Sequence, residues 1–245
     1  MSWFRTYTPR PQATLRLVCF PHAGGAASAY RDWAARLPED IELVAVQYPG
    51  RQDRFHDRLL TDFTALVDGI TEELKTLQGP TAYFGHSMGA TVAFEAARQL
   101  DARGNGPIRL FASARMAPAV ATRLGISFDT EDQVMTYIRS LGGAGIELLD
   151  DPDLRELALP MLQADFRLME SYQYKAGARL SCPITVLAGS DDHTFGAADA
   201  EHWAQHTTAG ITTETLPGGH FYTEEVPGLV TDLIARTFTT EGAHP

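Results

Sequence analysis

Lysine and cysteine are both scarce in this 245-residue sequence. Lys75 and Lys175 are the only lysines, and 31 acidic residues against 20 basic ones leave a formal net charge of −11. Binding to nucleic acid needs a basic footprint that neutralises phosphates, so that class is set aside. Cys19 and Cys182 are the only cysteines; each lies among apolar neighbours, without the spacing of a redox pair or a zinc knuckle. They read as reduced, buried thiols, and no metal site is expected from them. No apolar run approaches the roughly 18 residues of a membrane span. The start, Met1-Ser2-Trp3-Phe4-Arg5, lacks the basic-then-apolar layout of an export signal, so a cytoplasmic location is expected.

What is present is an alternation. Apolar runs at 15–20, 43–47, 82–84, 108–112, 184–188 and 213–216 are separated by helical patterns around 27–37, 63–77, 91–103, 197–206 and 229–238. Strands alternating with helices predict an α/β fold, with a mainly parallel sheet covered on both faces. The length fits a single domain, 1–245, and a monomer is the default expectation. Residues 116–177 break the rhythm with helical patterns and no strand. Thr130 is placed to cap a helix carrying Val134, Tyr137, Ile138 and Leu141 on one face, ending at Gly142-Gly143. A second pattern runs through Leu154, Leu157, Met161 and Leu168, with Pro160 as a kink or break. An insertion between core strands is where this architecture carries a lid. Met135, Met161 and Met169 lie inside it, either as plain core packing or as an adaptable wall for a flexible acyl chain.

Chemistry is suggested by Gly85-His86-Ser87-Met88-Gly89, a G-x-S-x-G run that follows the apolar strand Ala82-Tyr83-Phe84 and opens a helix. A nucleophile elbow requires that strand–turn–helix setting, with Ser87 as the nucleophile. Phe20-Pro21-His22-Ala23-Gly24-Gly25 follows the first strong strand and suits a glycine-rich oxyanion loop. Ala23 is the preferred amide donor there, His22 the fallback, and Met88 supplies the second amide. A phosphate-binding loop is the rival reading, but it would need a lysine that this run lacks. The base must come late: His220, in Pro217-Gly218-Gly219-His220-Phe221, lies directly after the last predicted strand. Ala188-Gly189-Ser190-Asp191-Asp192 offers two acids, of which Asp192 is preferred and Asp191 stays open. His202 and His206 have helical i, i+4 spacing, yet with no carboxylate motif nearby they read as an exposed face rather than metal ligands.

Taken together, these motifs resemble type II thioesterases, the stand-alone editing enzymes that accompany polyketide synthases and nonribosomal peptide synthetases. The resemblance also draws on Gln47-Tyr48-Pro49-Gly50-Arg51 and on Leu159-Pro160 followed by Ala164-Asp165-Phe166, so it spans nearly the whole chain in order. It implies an α/β-hydrolase fold with a helical lid at about 116–177, with Ser87, Asp192 and His220 in the catalytic roles. It implies acyl carrier protein or peptidyl carrier protein as partner, and no cofactor beyond the phosphopantetheine arm that carries the substrate. Arg51, Arg54 and Arg58 would either meet that arm's phosphate or pair with local acids such as Asp53 and Asp57. A carboxylesterase or lipase would share every catalytic residue, and a binding protein on the same fold is the non-enzymatic alternative.

Overall fold

In the computed structural model, which describes residues 2–121, 128–143 and 146–241, seven strands pair into one sheet. They are β1 (Phe4–Arg5), β2 (Leu15–Phe20), β3 (Ile41–Val46), β4 (Thr81–His86), β5 (Arg109–Ser113), β6 (Ile184–Gly189) and β7 (Ile211–Leu216), in the order β1-β3-β2-β4-β5-β6-β7. Only the edge pair β1·β3 is antiparallel, with Phe4 opposite Val46. The parallel remainder is in register at Leu17 with Leu43 and with Ala82, at Phe84 with Phe111, and at Val186 with Ala112 and with Thr213. Parallel pairing sets the C-terminal ends of β2, β4, β6 and β7 along one sheet edge, where ligands meet sheets of this kind.

Two apolar cores follow from the twofold alternation of the strands. Val18, Phe20 and Tyr83 face one side, against Ile70 of α2 (Phe63–Leu74) and Phe94 of α3 (Met88–Asp101). Leu17, Cys19 and Phe84 face the other side, against Trp33 of the short α1 (Arg31–Ala34) and, further along, Val230 and Ile234. Buried on both faces, the central strands read as continuous apolar runs. Both cysteines are buried and unbridged; burial pushes the Cys19 thiol well up and that of Cys182 to about 11, so neither is a thiolate at neutral pH.

The insertion between β5 and β6 carries α4 (Glu131–Leu141) and α5 (Pro152–Ser171). Its residues 122–127 and 144–145 lie outside the described residues. Thr130 caps α4 in a reciprocal box with Gln133, as its position predicts, and the helix ends at Gly142. The two helices share a small apolar core of Phe128, Val134, Ile138, Leu162 and Phe166, in which the Phe128 and Phe166 rings stack at 4.3 Å.

Pro160 does not break the second helix: α5 runs unbroken from Pro152 to Ser171. Proline removes one hydrogen bond, but Leu162, Phe166 and Leu168 are buried on the following turns and hold the helix in place. The remaining helices are α6 (Ala197–Ala200), α7 (Tyr222–Glu225) and α8 (Pro227–Glu241), the last carrying Val230 and Ile234. The expected helix at 197–206 becomes α6 followed by a 3₁₀ turn at Glu201–His206. That tighter winding separates the two histidines: His202 is exposed, whereas His206 is buried against the rings of Phe94, Tyr174 and Trp203. The exposed-face reading therefore fails for His206, a core residue. No cluster of metal-ligating side chains occurs among the described residues, and no helix there is long and apolar enough to cross a membrane.

Candidate active site

Three loops at the C-terminal sheet edge bring Ser87, His220 and Asp192 together. Ser87 sits between β4 and α3 with φ 53° and ψ −118°, a backbone region that few side-chain-bearing residues enter. Its N–H donates to Ser113 O at 2.9 Å, which fixes the turn to β5. The turn closes only because its flanks are glycines. A Cβ on Gly85 would stand 2.3 Å from Gly89 O, and one on Gly89 would stand 2.0 Å from Phe20 O. Ser87 is also the first residue before α3, where the helix dipole favours negative charge.

His220 is buried in the loop after β7, with Nε2 3.1 Å from Ser87 Oγ and Nδ1 2.8 Å from Asp192 Oδ2. Asp192 is buried and its other oxygen, Oδ1, accepts from Thr194 N at 2.8 Å and Thr194 Oγ1 at 2.6 Å. Burial raises the carboxyl pKa, but the hydrogen bonds from His220 and Thr194 together outweigh it and hold the group below its ordinary value. An ionised Asp192 can only accept, so Nδ1 carries the imidazole proton and Nε2 presents its lone pair to the serine hydroxyl. Asp191 points to solvent and meets Ser190 Oγ. The geometry thus joins Asp192, and not its neighbour, to the histidine.

The expected oxyanion donors are the Met88 amide and an amide of the loop after β2. Met88 N is the first amide of α3, a position with no carbonyl one turn back to bind. In the loop after β2, Gly25 N is committed to His22 O at 2.9 Å and Gly24 N to Asp165 Oδ2 at 2.7 Å. His22 N and Ala23 N donate to no described residue, so both amides named from the sequence stay available.

The three methionines occupy different settings. Met135 is buried on α4, and Met169 packs against the main core. Met161 lines a cleft of about 550 Å³ together with His22, Gly24, Gly25, Phe55 and Leu157. The arginines also part company. Arg54 pairs with Asp57 at 2.7 Å, the local acid expected of it, while Asp53 pairs with Arg5. Arg58 is exposed, and Arg51 is buried in a two-pronged pair with Asp165 on α5, at 2.8 and 2.9 Å. A phosphate contact by Arg51 is therefore not what this geometry offers.

Sequence reasoning passed over the buried support of the site. His86 bonds through Nδ1 to Ser113 Oγ at 2.8 Å, and Ser113 in turn meets the Tyr222 hydroxyl. The His86 ring lies 5.4 Å from that of His220 and 5.9 Å from that of His22. A histidine next to a motif serine is the signal that would have found it. Burial, then the charge of His220, keeps His22 neutral down to about 4; burial, then His220 and His22, holds His86 well below its ordinary value. Burial likewise lowers His206 to about 4.

Well above pH ~6.5 these three histidines are neutral whether the chain is folded or not, and they contribute no slope. As the pH falls below that, the unfolded chain takes protons that the folded one refuses. Stability therefore drops, by at most about 1.4 kcal/mol per pH unit for each histidine. The urea midpoint is expected to fall steeply between pH 7 and pH 5, and less steeply in His206→Gln. A midpoint unchanged over that range would contradict the neutral burial of these rings.

The family model for a thioesterase domain matches residues 15–238. The chain is 39% identical to a probable cadicidin biosynthesis thioesterase of Streptomyces griseus, over 99% of its own length and 68% of the relative's. It is 35% identical to the thioesterase PikA5 of Streptomyces venezuelae, over 98% and 87% of the two chains. Among solved structures, BorB, a type II thioesterase from the borrelidin biosynthetic cluster, superposes with a TM-score of 0.87 at 39% identity, covering 96% of each chain. YbtT, a type II thioesterase from the yersiniabactin pathway, does so with a TM-score of 0.87 at 32% identity, over 98% of this chain and 99% of its own.

Proposed function

Because the chain belongs to the thioesterase family, we propose that it hydrolyses acyl thioesters from the phosphopantetheine arm of acyl or peptidyl carrier proteins, clearing misprimed or stalled polyketide or nonribosomal peptide synthases. The observation that carries this reading is the hydrogen-bonded series Ser87–His220–Asp192, with a helical insertion packed on the neighbouring Gly24 loop, in a chain similar to biosynthesis thioesterases.

The residues divide the work as follows. Ser87 Oγ attacks the thioester carbonyl while His220 Nε2 takes its proton, and Asp192 stabilises the imidazolium that results. The oxyanion gathers between Met88 N and Ala23 N, at the positive end of α3. The tetrahedral adduct expels the thiolate, a good leaving group that needs little help from an acid. The departing thiolate takes the proton from the His220 imidazolium; the neutral ring then deprotonates the water that attacks the acyl-Ser87 ester and returns that proton to Ser87 Oγ as the carboxylic acid is released. Side chains and backbone amides suffice for each step, so the reading calls for no metal or redox cofactor.

The triad alone would serve an oxygen ester equally well, so the discriminating measurement varies the leaving group. Acetyl and longer acyl groups loaded on a carrier protein are offered beside matched oxygen esters. Faster release from the carrier is the expected result. Survival of the carrier-bound acyl groups while oxygen esters are cleaved would leave a serine hydrolase but remove the editing role.

A further inference from the structure

Two sequence motifs have no part in the chemistry above, yet they meet in one buried cluster. Asp165, on the insertion helix α5, accepts from Gly24 N at 2.7 Å and grips the Arg51 guanidinium with both oxygens. Arg51 Nη1 also donates to Gly25 O at 2.7 Å. The cluster continues into the sheet: Gln47, just past β3, donates from Nε2 to Arg51 O at 2.9 Å and accepts from Ala27 N at 2.8 Å. Both charged side chains are about 95% buried.

Stability alone is a poor reason for such a pair. Taking both charges out of water costs several kcal/mol, and apolar residues of similar volume commonly fill such a site equally well. What apolar residues cannot do is accept the Gly24 N–H. That amide belongs to the Ala23–Gly24 peptide plane, and planar peptides leave two soft torsions per residue. Fixing Gly24 N and Gly25 O from one side, with Gly25 N returning to His22 O, leaves the intervening Ala23 amide little freedom. The fixing partner sits on the insertion helix, whose Leu162 also abuts Gly24, rather than on the sheet that carries the catalytic loops.

We infer that Asp165 is a positioning residue for the oxyanion loop, and that with its partner Arg51 it makes the loop competent only while α5 is seated. This rests on the proposed role of Ser87 and the loop amides. Substrate admission that lifts α5 removes the acceptor from Gly24 N, so a chain with its cover displaced has a nucleophile and base but a slack oxyanion site. Stabilisation of the tetrahedral adduct and closure of the cover become one event.

The test is the pair of double variants R51M/D165L and R51Q/D165N in the full chain. The first removes both charges and the acceptor. The second removes the charges but leaves an amide oxygen for Gly24 N. Each is assayed for kcat and KM, and for affinity toward an alkyl trifluoromethyl ketone, which becomes a tetrahedral oxyanion on serine, beside the matching unreactive alcohol. R51M/D165L is expected to lose about 100-fold in kcat and in ketone affinity, comparable to loss of one oxyanion donor, with alcohol affinity and KM changed less than threefold. R51Q/D165N is expected to recover at least tenfold of that loss. Equal losses for ketone and alcohol, or no recovery in R51Q/D165N, would overturn the positioning role. The wild type with Ser87→Ala separates the two levels: a ketone affinity that does not depend on Ser87 would overturn the nucleophile assignment itself.

Discussion

Ser87→Ala is expected to lower kcat by about 10⁵-fold or more on any acyl substrate, with the thermal midpoint nearly unchanged. The geometry sets both halves of that expectation. His220 Nε2 is aimed at Ser87 Oγ and, among the described residues, at no other nucleophile, so its removal leaves a base with nothing to activate but water. The loop amides and the dipole of α3 remain, and they sustain a small rate above background. The fold is indifferent because the turn is held by the backbone, through Ser87 N to Ser113 O, and by the Gly85–Gly89 approach. Ser87→Gly separates the two effects further. At φ 53° a glycine is unstrained, so this variant is expected to be equally inactive but more stable, by about 1 kcal/mol. Steady-state kinetics and thermal melts of the three proteins decide the matter. An alanine variant retaining more than about 1% of activity would show that the chemistry lies elsewhere.

Asp192→Asn is expected to cost about 10³- to 10⁴-fold in kcat at neutral pH with little loss of stability. Thr194 donates two hydrogen bonds to Oδ1, so an asparagine there would keep its carbonyl on that side. Its NH₂ would then face His220 Nδ1 and donate to it, which moves the ring proton to Nε2. The lone pair that should receive the Ser87 proton is lost, although no heavy atom need move. Asp191→Asn is the matched control and is expected to stay within threefold of wild type, since among the described residues that exposed carboxylate meets Ser190 alone. If the two variants exchanged their effects, the acid would have been assigned to the wrong residue of the pair.

Most of the sheet could be read in advance, because strands buried on both faces leave unmistakable apolar runs. The site was legible for a related reason. Each catalytic residue follows a strand directly, and the glycines around Ser87 are dictated by contacts under 3 Å that no other residue survives. What escaped notice was set by tertiary contact. β1 is two residues long and carries no alternation; it exists because Phe4 and Arg5 find the free edge of β3. His206 looked like a surface residue until the 3₁₀ turn rolled it under Phe94. Arg51 sits among local acids at 53 and 57, yet its partner lies 114 positions away, a pairing that no pattern along the chain announces.

The distance along the chain between Ser87 and His220, 133 residues, sets a timetable for biosynthesis. At about 5–20 residues per second, the nucleophile leaves the ribosome several seconds before its base. β7 is the last strand of the sheet to be synthesised, its neighbour there is β6, and His220 lies in the loop beyond it. A growing chain can therefore bury most of its core, complete its nucleophile elbow and still be inert. A copy that stops before β7 carries Ser87 without the His220 that activates it.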